Sequence, residues 1–287
     1  MKTLFLVNPK AGRGSALRIW RRIEPRVTGD VVIPPSAEAT RQAAADAVRA
    51  GYDRVVVVGG DGTLTAVAGE LAGTGTVLGV LPAGTGNDFC RTSGIPGNPE
   101  AALAIALGPA TCRIDVGRTS GGRCFLNAAG VGFDADVAAA ASGFPDGLGG
   151  TLPYLLGAVT TLFRYRPVTA TVTVDGQRYE GTMTMIAVAN GNYYGGGMKI
   201  APNASRHDGL LDVYVAEGMG PLHMLNLLPR VYSGGHVRSP QVHALRGREV
   251  EVRVESPVRA HLDGELLPED TFRFNVSPGA LLVAMPS

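Results

Sequence analysis

The sequence is poor in the residues that mark several protein classes. Its 287 residues include only three cysteines and one tryptophan, and the formal net charge is +1. The cysteines are odd in number and lack metal-ligand spacing, which argues against a disulfide scaffold and indicates buried thiols in a reducing compartment. A net charge near zero gives no overall field that attracts nucleic acid, so we expect no nucleic-acid partner. The length allows one large domain or two ordinary ones.

Long apolar runs are missing too. The longest, Leu148–Phe163, is shorter than the ~20 residues that a membrane-spanning helix needs, and it contains Pro153 and Gly157. A core helix is the first interpretation of this stretch. Because Arg164 and Arg166 follow it as interfacial anchors would, contact with a membrane surface is the alternative. The N-terminal residues do not show the succession of a signal peptide, and we expect a cytoplasmic protein.

Two common nucleotide-binding motifs are absent as well. The chain has no Gly-Lys pair and therefore no Walker A loop. Gly12-x-Gly14 follows the predicted strand Thr3–Val7, but position 17 is Leu where the third small residue of a dinucleotide fingerprint should stand. The loop after this strand carries Lys10 and Arg13, and it can line a ligand crevice.

The central feature of the sequence is the stretch Val55–Thr65, which predicts a strand, a glycine turn and the start of a helix. Four consecutive valines are typical of a strand buried on both faces, and Gly59 and Gly60 end it. Backbone N–H groups and a helix N-terminus then face the end of the strand, which favours phosphate. Asp61 would repel that phosphate unless a cation lay between them, and magnesium is the obvious mediator. A plain turn is the alternative interpretation of this motif alone.

A second stretch, Val77–Asp88, repeats the plan. Its apolar run leads into Gly84, Thr85 and Gly86, and Asp88 again supplies one carboxylate. Two strand ends that each carry a glycine loop and an acid suit a metal–nucleotide complex better than either does alone.

Helices and strands alternate in the first part of the chain, which favours a parallel sheet covered on both faces. Helices are predicted over residues 15–27, 37–50, 63–71 and 98–107. After a helical stretch over 137–164 strands dominate, and they are predicted over 168–174, 179–189, 249–255, 258–262 and 272–276. Asp175-Gly176 and Asp263-Gly264 are hairpin signals, the second joining 258–262 to 272–276. We place the boundary near residue 120, expect mainly antiparallel β structure after it, and expect the site in the cleft between the halves.

One loop of the second half also has a composition that is typical of a functional loop. Asn190–Asp212 is so rich in Gly and Asn that it is costly to order. This favours a ligand-facing or metal-organised loop over a mere connector.

Together these stretches resemble one family, the soluble bacterial diacylglycerol kinases and YegS-like lipid kinases, whose catalytic domain is shared with sphingosine and ceramide kinases. The matching stretches occur in the family's order and cover nearly the whole chain: Asn8–Gly12, Gly59–Thr63, Leu81–Arg91, Asn127–Asp134, Tyr194–Asp212 and Leu262–Glu265. The Gly-Gly-Asp-Gly-Thr loop also occurs in NAD kinases and phosphofructokinase-like enzymes. The run Gly-Gly-Gly-Met-Lys-Ile-Ala-Pro with Asp-Gly-Leu-Leu-Asp is more specific.

The resemblance implies an α/β fold with two domains. An N-terminal three-layer, parallel-sheet nucleotide-binding domain over residues 1–120 precedes a mainly antiparallel β-sandwich domain over residues 121–287, whose last few residues return to the first domain. The implied activity is that of a lipid kinase, which transfers the γ-phosphoryl group of ATP to a lipid hydroxyl, with diacylglycerol giving phosphatidic acid as the first expectation. The implied cofactors and partners are ATP, Mg²⁺, a lipid substrate at a membrane with which the cytoplasmic enzyme associates peripherally, and a second copy in a homodimer.

The resemblance also implies roles for individual residues. Asp61 and Asp88 would organise the catalytic Mg²⁺, and Glu265 would be the general base. Asp208 and the backbone carbonyl groups of Ser205 and Leu210 would form a structural Mg²⁺ site. The nucleotide would be held by Asn8, Gly59, Gly60, Asp61, Gly62, Thr63, Gly84, Thr85 and Asn87.

Three other functions stay open. A related lipid kinase would phosphorylate another lipid alcohol, such as phosphatidylglycerol or a sphingoid base. An NAD-kinase-type enzyme would use the same glycine loop on a soluble substrate, but it leaves Tyr194–Asp212 and the Asp-Gly-Glu run ending at Glu265 unexplained. A nucleotide-binding protein without catalysis is favoured by Ala66 and Pro34, which stand where relatives commonly have polar residues. His207 stands where a second acid is frequent, which bears on the structural metal site.

Overall fold

The computed structural model describes residues 1–143, 152–267 and 272–287. Residues 148–151 of the predicted apolar stretch Leu148–Phe163 lie outside the described residues. The chain divides into two compact units. Unit 1 consists of residues Met1–Val116 and Pro278–Ser287, and unit 2 consists of residues Gly117–Ser277.

Unit 1 alternates strands and helices, as the sequence predicts. Its elements are β1 (Thr3–Val7), α1 (Ser15–Ile23), β2 (Asp30–Val32), α2 (Ala37–Arg49), β3 (Arg54–Gly59), α3 (Asp61–Leu71), β4 (Val77–Pro82), α4 (Asp88–Ser93), α5 (Pro99–Leu107) and the first part of β5 (Thr111–Thr119), whose residues 117–119 belong to unit 2. Short 3-10 turns at Ala11–Gly14 and Glu24–Arg26 flank α1. The sequence did not predict strand β2 or helix α4, which are both short.

The sheet of unit 1 has the strand order β2-β1-β3-β4, and all of these pairs are parallel. The valines at 55–58 are fully buried, which confirms that β3 is covered on both faces. Helix α1 packs against α5, and α2 packs against α3. The predicted N-terminal α/β fold is therefore confirmed, and the carboxyl ends of β1, β3 and β4 lie at one edge of the sheet.

Local capping explains where two of these helices begin. The Ser36 hydroxyl accepts a hydrogen bond from the backbone N–H of Ala39 at 3.1 Å and starts α2. The Asn98 carboxamide accepts one from Ala101 at 2.9 Å and starts α5. Each side chain satisfies an N–H group that has no partner within its own helix.

Residues 278–287 complete unit 1. Val283 pairs with Leu78 of β4 in parallel, and the carbonyl group of Ala280 accepts a hydrogen bond from Gly73 at 2.7 Å. Leu281 and Val283 are fully buried, so this segment is part of the core of unit 1.

Unit 2 is mostly β structure with three helices among its described residues. Its elements are β6 (Cys124–Phe125), β7 (Ala128–Gly132), α6 (Phe133–Ser142), α7 (Leu152–Leu162), β8 (Val168–Val174), β9 (Gln177–Ala189), β10 (Leu211–Glu217), α8 (Pro221–Ser233), β11 (Val242–Gly247), β12 (Glu249–Val254), β13 (Ala260–Leu262), β14 (Glu265–Leu267) and the first part of β15 (Phe272–Ala284), whose residues 278–284 belong to unit 1. The helical stretch predicted over 137–164 corresponds to α6 and α7.

The strands of unit 2 pair in antiparallel fashion around the long strand β9. Residues 177–183 of β9 pair with β8, and residues 185–189 pair with β7, while β10 pairs with both β9 and β11. Strand β12 lies between β8 and β15, and β13 lies between β7 and β14. Alternating side chains of these strands form one buried core that includes Val172, Val188, Val213, Val252 and Phe272. This architecture confirms the predicted C-terminal β domain.

The prediction for the second hairpin was wrong in one respect. Asp263-Gly264 does form a tight turn, but it joins Ala260–Leu262 to Glu265–Leu267. Phe272–Val276 instead pairs with β12, whose Val252 lies opposite Phe272. Alternating hydrophobicity identifies a strand without identifying its partner. The chain reverses direction at Asp263-Gly264, and Glu265, Leu266 and Leu267 form a short strand that pairs with Ala260–Leu262.

None of the helices in the described part of the chain is long and apolar enough to cross a bilayer.

Candidate active site

In unit 1 the glycine loops after β3 and β4 are in backbone contact. A Cβ atom on Gly84 would lie 2.6 Å from the Cα atom of Gly60, and one on Gly60 would lie 3.0 Å from the Cα atom of Gly84. Either loop can therefore tolerate only glycine at this point without moving the other. The contact leaves the backbone N–H groups of both loops close together, as a phosphate-binding site requires.

Asn8, at the end of β1, ties its loop to the β3 loop. Its side-chain Nδ2 donates to Thr63 Oγ1 at 2.7 Å, and its Oδ1 accepts from the backbone N–H of Lys10 at 3.0 Å. Ser15 links the same loop to the β4 loop, because its hydroxyl donates to the carbonyl oxygen of Ala83 at 2.7 Å. The β1 loop thus contacts both glycine loops, as the sequence suggested for the loop carrying Lys10.

Asp61 and Asp88 begin two neighbouring helices. Asp61 is the first residue of α3, and its Oδ1 accepts a hydrogen bond from the backbone N–H of Phe89 in the first turn of α4 at 3.2 Å. Asp88 is the first residue of α4 and is buried, and its Oδ1 pairs with Arg91 Nη1 at 2.7 Å. Asp61 therefore contacts the backbone of the residue that directly follows Asp88. Gly62 lies in the first turn of α3 between Asp61 and Thr63.

Asn87 holds the β4 loop closed. Its backbone is left-handed, with φ +52°. Its Oδ1 accepts from Gly84 N–H at 3.0 Å, and its Nδ2 donates to the Gly84 carbonyl oxygen at 2.9 Å. Thr85 lies within this closed loop and is exposed. Gly59 ends β3 next to Thr63, and a Cβ atom on it would lie 2.9 Å from the Thr63 Cβ atom.

The Asp61 carboxylate and the glycine N–H groups of unit 1 fit a magnesium–triphosphate complex, whereas Asp88 is buried and paired with Arg91. Mg²⁺ usually keeps several waters and is bound through one or two carboxylates and the phosphates of its substrate. Asp61 is partly exposed and one of its oxygens accepts from a single backbone N–H group. A site of this kind does not require a cluster of three protein ligands, and the described residues contain no such cluster of His, Cys, Asp or Glu.

In unit 2, Asp263 anchors the turn that carries Glu265. Its carboxylate accepts three backbone hydrogen bonds, from Leu126 at 2.8 Å and from Asn127 and Ala128 at 3.0 Å each. Its backbone is left-handed, with φ +47°, a conformation that Asp tolerates better than most residues. Sequence reasoning identified the turn, but it missed this cross-strand anchoring.

A buried histidine–aspartate pair supports the same turn. The backbone N–H of Gly264 donates to His261 Nδ1 at 3.2 Å, and His261 Nε2 lies 3.3 Å from Asp134 Oδ2. The two contacts fix the tautomer, with the proton on Nε2 directed at the carboxylate. The His261 ring stacks on Tyr194 at 5.7 Å, and Gly130 passes so close to the pair that a side chain there would collide with both residues.

Glu265 itself is more than half exposed, and its Oε2 lies 3.3 Å from Nη2 of Arg123. Asp263 and His261 hold the turn that precedes Glu265. The backbone at Glu265 is therefore fixed, while the Glu265 carboxylate reaches solvent. That combination suits a group that must meet a substrate.

Asp208 lies in a different part of unit 2 and is engaged by an arginine. Arg246 Nη2 pairs with Asp208 Oδ2, and Arg246 Nε lies 3.1 Å from Asp212 Oδ1. Asp208 Oδ1 accepts from the backbone N–H of Leu210 at 3.1 Å. Burial raises the pKa of Asp212, and the charge of Arg246 opposes this rise. A cation would have to compete with Arg246, so the structural metal site at Ser205, Asp208 and Leu210 stays a prediction.

Comparisons with known proteins agree with this architecture. The profile of the diacylglycerol kinase catalytic domain matches residues 2–119, and that of the YegS C-terminal NAD kinase beta sandwich-like domain matches residues 127–285. The chain belongs to the family of bacterial diacylglycerol kinases and YegS-like lipid kinases. The prediction of an enzyme of the lipid kinase family is thereby confirmed.

Individual members of this kinase family resemble the chain over most of its length. A diacylglycerol kinase of Mycobacterium tuberculosis is 33% identical over 298 residues, which cover 99% of this chain and 95% of that protein. A Pseudomonas aeruginosa protein named "Probable lipid kinase YegS-like" is 38% identical over 250 residues, which cover 86% of this chain and 81% of that protein. The crystal structure of a diacylglycerol kinase of Bacillus anthracis superposes with a TM-score of 0.81 at 25% identity, covering 99% of this chain and 97% of that one.

Proposed function

We propose that this protein transfers the γ-phosphoryl group of ATP to a lipid hydroxyl, with diacylglycerol as the first acceptor and phosphatidic acid as the product. The observation that carries the proposal is the backbone contact of Gly60 with Gly84, beside two loops that each lead into an acid-led helix. The names of the relatives support a lipid acceptor. Because such an acceptor partitions into bilayers, we infer that the cytoplasmic enzyme works in peripheral contact with a membrane.

Unit 1 supplies the groups that would bind the phosphates. The N–H groups of the two glycine loops and the N-terminus of α3 attract negative charge. Asn8 holds the Thr63 hydroxyl in place, and Thr85 is exposed for contact. Asp61 would hold Mg²⁺ together with Asp88, whose carboxylate would have to exchange Arg91 for the ion, and the bound ion would neutralise part of the phosphate charge.

Unit 2 supplies the base. In the proposed step the hydroxyl oxygen of the lipid forms a bond to the γ-phosphorus, and the bond to the β–γ bridging oxygen breaks, leaving ADP. The hydroxyl proton passes to a carboxylate oxygen of Glu265. A weakly acidic alcohol gives up its proton late in a loose transition state, so the base contributes less than positioning does.

The test is mass spectrometry of lipids phosphorylated by the purified protein, run beside Glu265→Gln. We expect the variant to bind Mg-ATP like the wild type and to turn over at least about a hundredfold more slowly, the low end of what a general base contributes. Glu255→Gln is the matched control, because Glu255 is an exposed glutamate of the same unit. Its turnover should equal that of the wild type.

The same experiment separates the alternatives. Unchanged turnover of Glu265→Gln would remove this residue from the mechanism. Phosphorylated phosphatidylglycerol or sphingoid base in place of phosphatidic acid would change the acceptor but keep the reaction. NAD is added to the assay as a second acceptor, and its phosphorylation would favour the NAD-kinase type. Normal nucleotide binding without any phosphorylated product would favour a catalytically silent protein.

A further inference from the structure

Arg123 is a charged residue to which the proposed mechanism gives no role, although it contacts the proposed base. Its Nη2 atom lies 3.3 Å from Glu265 Oε2. The two side chains are 41% and 57% exposed, so water reaches both of them. An ion pair in such a position contributes little to the stability of a fold. The position of this arginine beside the base is therefore better explained by function than by stability.

The backbone holds Arg123 at a fixed position in unit 2. Its N–H group donates to Thr119 Oγ1 at 3.2 Å, and its carbonyl oxygen accepts from the N–H group of Thr119 at 2.8 Å. Asp263 accepts a hydrogen bond from Leu126, three residues further along the segment of Arg123. The turn that carries Glu265 is therefore attached to the segment that carries the arginine.

The Glu265 carboxylate is engaged at one of its two oxygen atoms. Arg123 contacts Oε2, and in the described part of the chain Oε1 has no hydrogen-bond partner. A carboxylate held in this way keeps one oxygen for the hydroxyl proton of the acceptor. Arg118, a second arginine of the hairpin of β5 and β6, is engaged elsewhere, because its Nε donates to Ser277 Oγ at 3.2 Å. Arg123, and not Arg118, therefore responds to the charge of the base.

Proton transfer to Glu265 removes the negative charge with which Arg123 pairs. The carboxylate becomes a neutral acid when Oε1 takes the hydroxyl proton. In the same step the lipid oxygen becomes part of a phosphate monoester, which carries a charge of roughly −1.5 to −2 near pH 7. A guanidinium group binds two phosphate oxygens through parallel N–H groups, and hydrogen bonds between ionised groups are the strong ones. The arginine therefore finds its stronger partner on the product side of the reaction.

We propose that Arg123 pairs with Glu265 in the resting enzyme and with the transferred phosphoryl group once Glu265 has taken the proton. Arg123 is then a catalytic residue of unit 2 that binds the phosphate of the product. The exchange balances in charge, because the guanidinium group stays protonated while one anionic partner is neutralised and another forms. This proposal deepens the proposed function and rests on it.

Binding of a product analogue tests the exchange without turnover. The probe is phosphatidic acid with two hexanoyl chains, titrated calorimetrically in the presence of Mg²⁺ and ADP so that the glycine loops of unit 1 are occupied. Glu265→Gln replaces the carboxylate by a neutral amide of similar shape, which resembles the base after proton transfer and leaves Arg123 available. We expect this variant to bind the probe at least about tenfold more tightly than the wild type, as one charge-assisted hydrogen bond provides.

The same change in a second background shows where this gain in affinity comes from. In Arg123→Gln, the further change Glu265→Gln should raise the affinity by less than about threefold, because it then removes only the screened repulsion between two anions. Neutral diacylglycerol with two hexanoyl chains should bind all four proteins equally, since it carries no phosphate. An equal gain in both backgrounds, or an equal gain for the neutral lipid, would overturn the proposal.

Turnover gives an independent readout. Arg123→Gln should lower kcat at least about tenfold and leave the KM for ATP within about twofold, since the contact forms only as the phosphoryl group is transferred. Arg123→Lys keeps the charge without the planar fork and should recover part of the loss. Arg178→Gln is the matched control, because Arg178 is a 65% exposed residue of unit 2 that pairs with the 55% exposed Glu180. Its kcat should equal that of the wild type.

The outcomes distinguish this proposal from the proposed function. A wild-type protein that forms no phosphorylated lipid contradicts the kinase activity, while the titration still measures whether Arg123 binds a phosphate monoester. An active wild type with normal kcat in Arg123→Gln contradicts the role of the arginine and leaves the kinase activity intact. A fall of kcat in Arg123→Gln without a gain of probe affinity in Glu265→Gln would also overturn the exchange, because the arginine would then only hold the base. Thermal unfolding checks that each variant is folded.

Discussion

The turn at Asp263 allows the placement of Glu265 to be tested without changing Glu265. Asp263→Ala removes a carboxylate that accepts three backbone hydrogen bonds. At roughly 1 kcal/mol per bond in this partly exposed setting, the loss is about 3 kcal/mol. Alanine at the left-handed φ of +47° adds about 1 kcal/mol. For a unit of this size we expect the midpoint of thermal unfolding to fall by roughly 8–16 °C.

The chain supplies a matched control in its other Asp-Gly turn. Asp175 has the same φ of +47°, and its carboxylate accepts from the backbone N–H groups of Arg248 and Glu249 at about 3 Å. Asp175→Ala should therefore destabilise unit 2 by a similar amount, about 3 kcal/mol. Its turn carries no residue that we assign to catalysis.

The two variants separate stability from positioning. Circular dichroism gives the unfolding midpoints, and lipid phosphorylation is measured well below both of them. We expect kcat to fall at least about tenfold in Asp263→Ala, because a displaced base is costly, and to stay within about twofold of the wild type in Asp175→Ala. An equal fall of kcat in both variants, or normal kcat in Asp263→Ala, would refute the idea that this turn positions the base.

Three further predictions concern other parts of the chain. Gly84→Ala would place a Cβ atom 2.6 Å from the Gly60 Cα atom, so the two loops must separate. The KM for ATP should then rise at least about tenfold. In the control Gly75→Ala the new Cβ atom meets nothing within 4 Å, and the KM for ATP should stay within about twofold of the wild-type value. Burial lowers the pKa of His236, so the imidazole of the unfolded chain is protonated before that of the folded protein as the pH falls. Between about pH 7.5 and about pH 5.5 the urea midpoint of unfolding should therefore drop more in the wild type than in His236→Gln. Equal drops in the two proteins would contradict this. Arg246→Gln removes the cation that pairs with Asp208. Addition of Mg²⁺ should therefore raise the midpoint of thermal unfolding of the variant but not that of the wild type. Equal shifts of the midpoint in both proteins would place any Mg²⁺ site elsewhere.

Much of unit 1 could be predicted because its signals are local. Four valines in a row specify a strand buried on both faces, and glycine specifies the bend at its end whatever surrounds it. The proximity of the two glycine loops also follows, since neighbouring parallel strands end at the same edge of a sheet.

The parts that sequence reasoning missed depend on distant partners. Helix α8 contains Pro229 in its interior, where proline usually breaks a helix, so its pattern did not indicate a helix, yet the helix packs against α7. The pairing of Phe272–Val276 with β12 is fixed by the core of unit 2 and not by the nearest turn. The contact of His261 with Asp134 joins residues 127 positions apart, and no local pattern announces it.

The placement of residues 278–287 in the core of unit 1 has a consequence for how this protein is made. A ribosome will have synthesised all of unit 2 before the segment that contributes Leu281 and Val283 emerges. Until then the edge of β4 and part of the interior of unit 1 lack their covering segment. Unit 1 therefore cannot complete its core before unit 2 has been synthesised, and a fragment ending at Val116 should be recovered as an aggregation-prone intermediate.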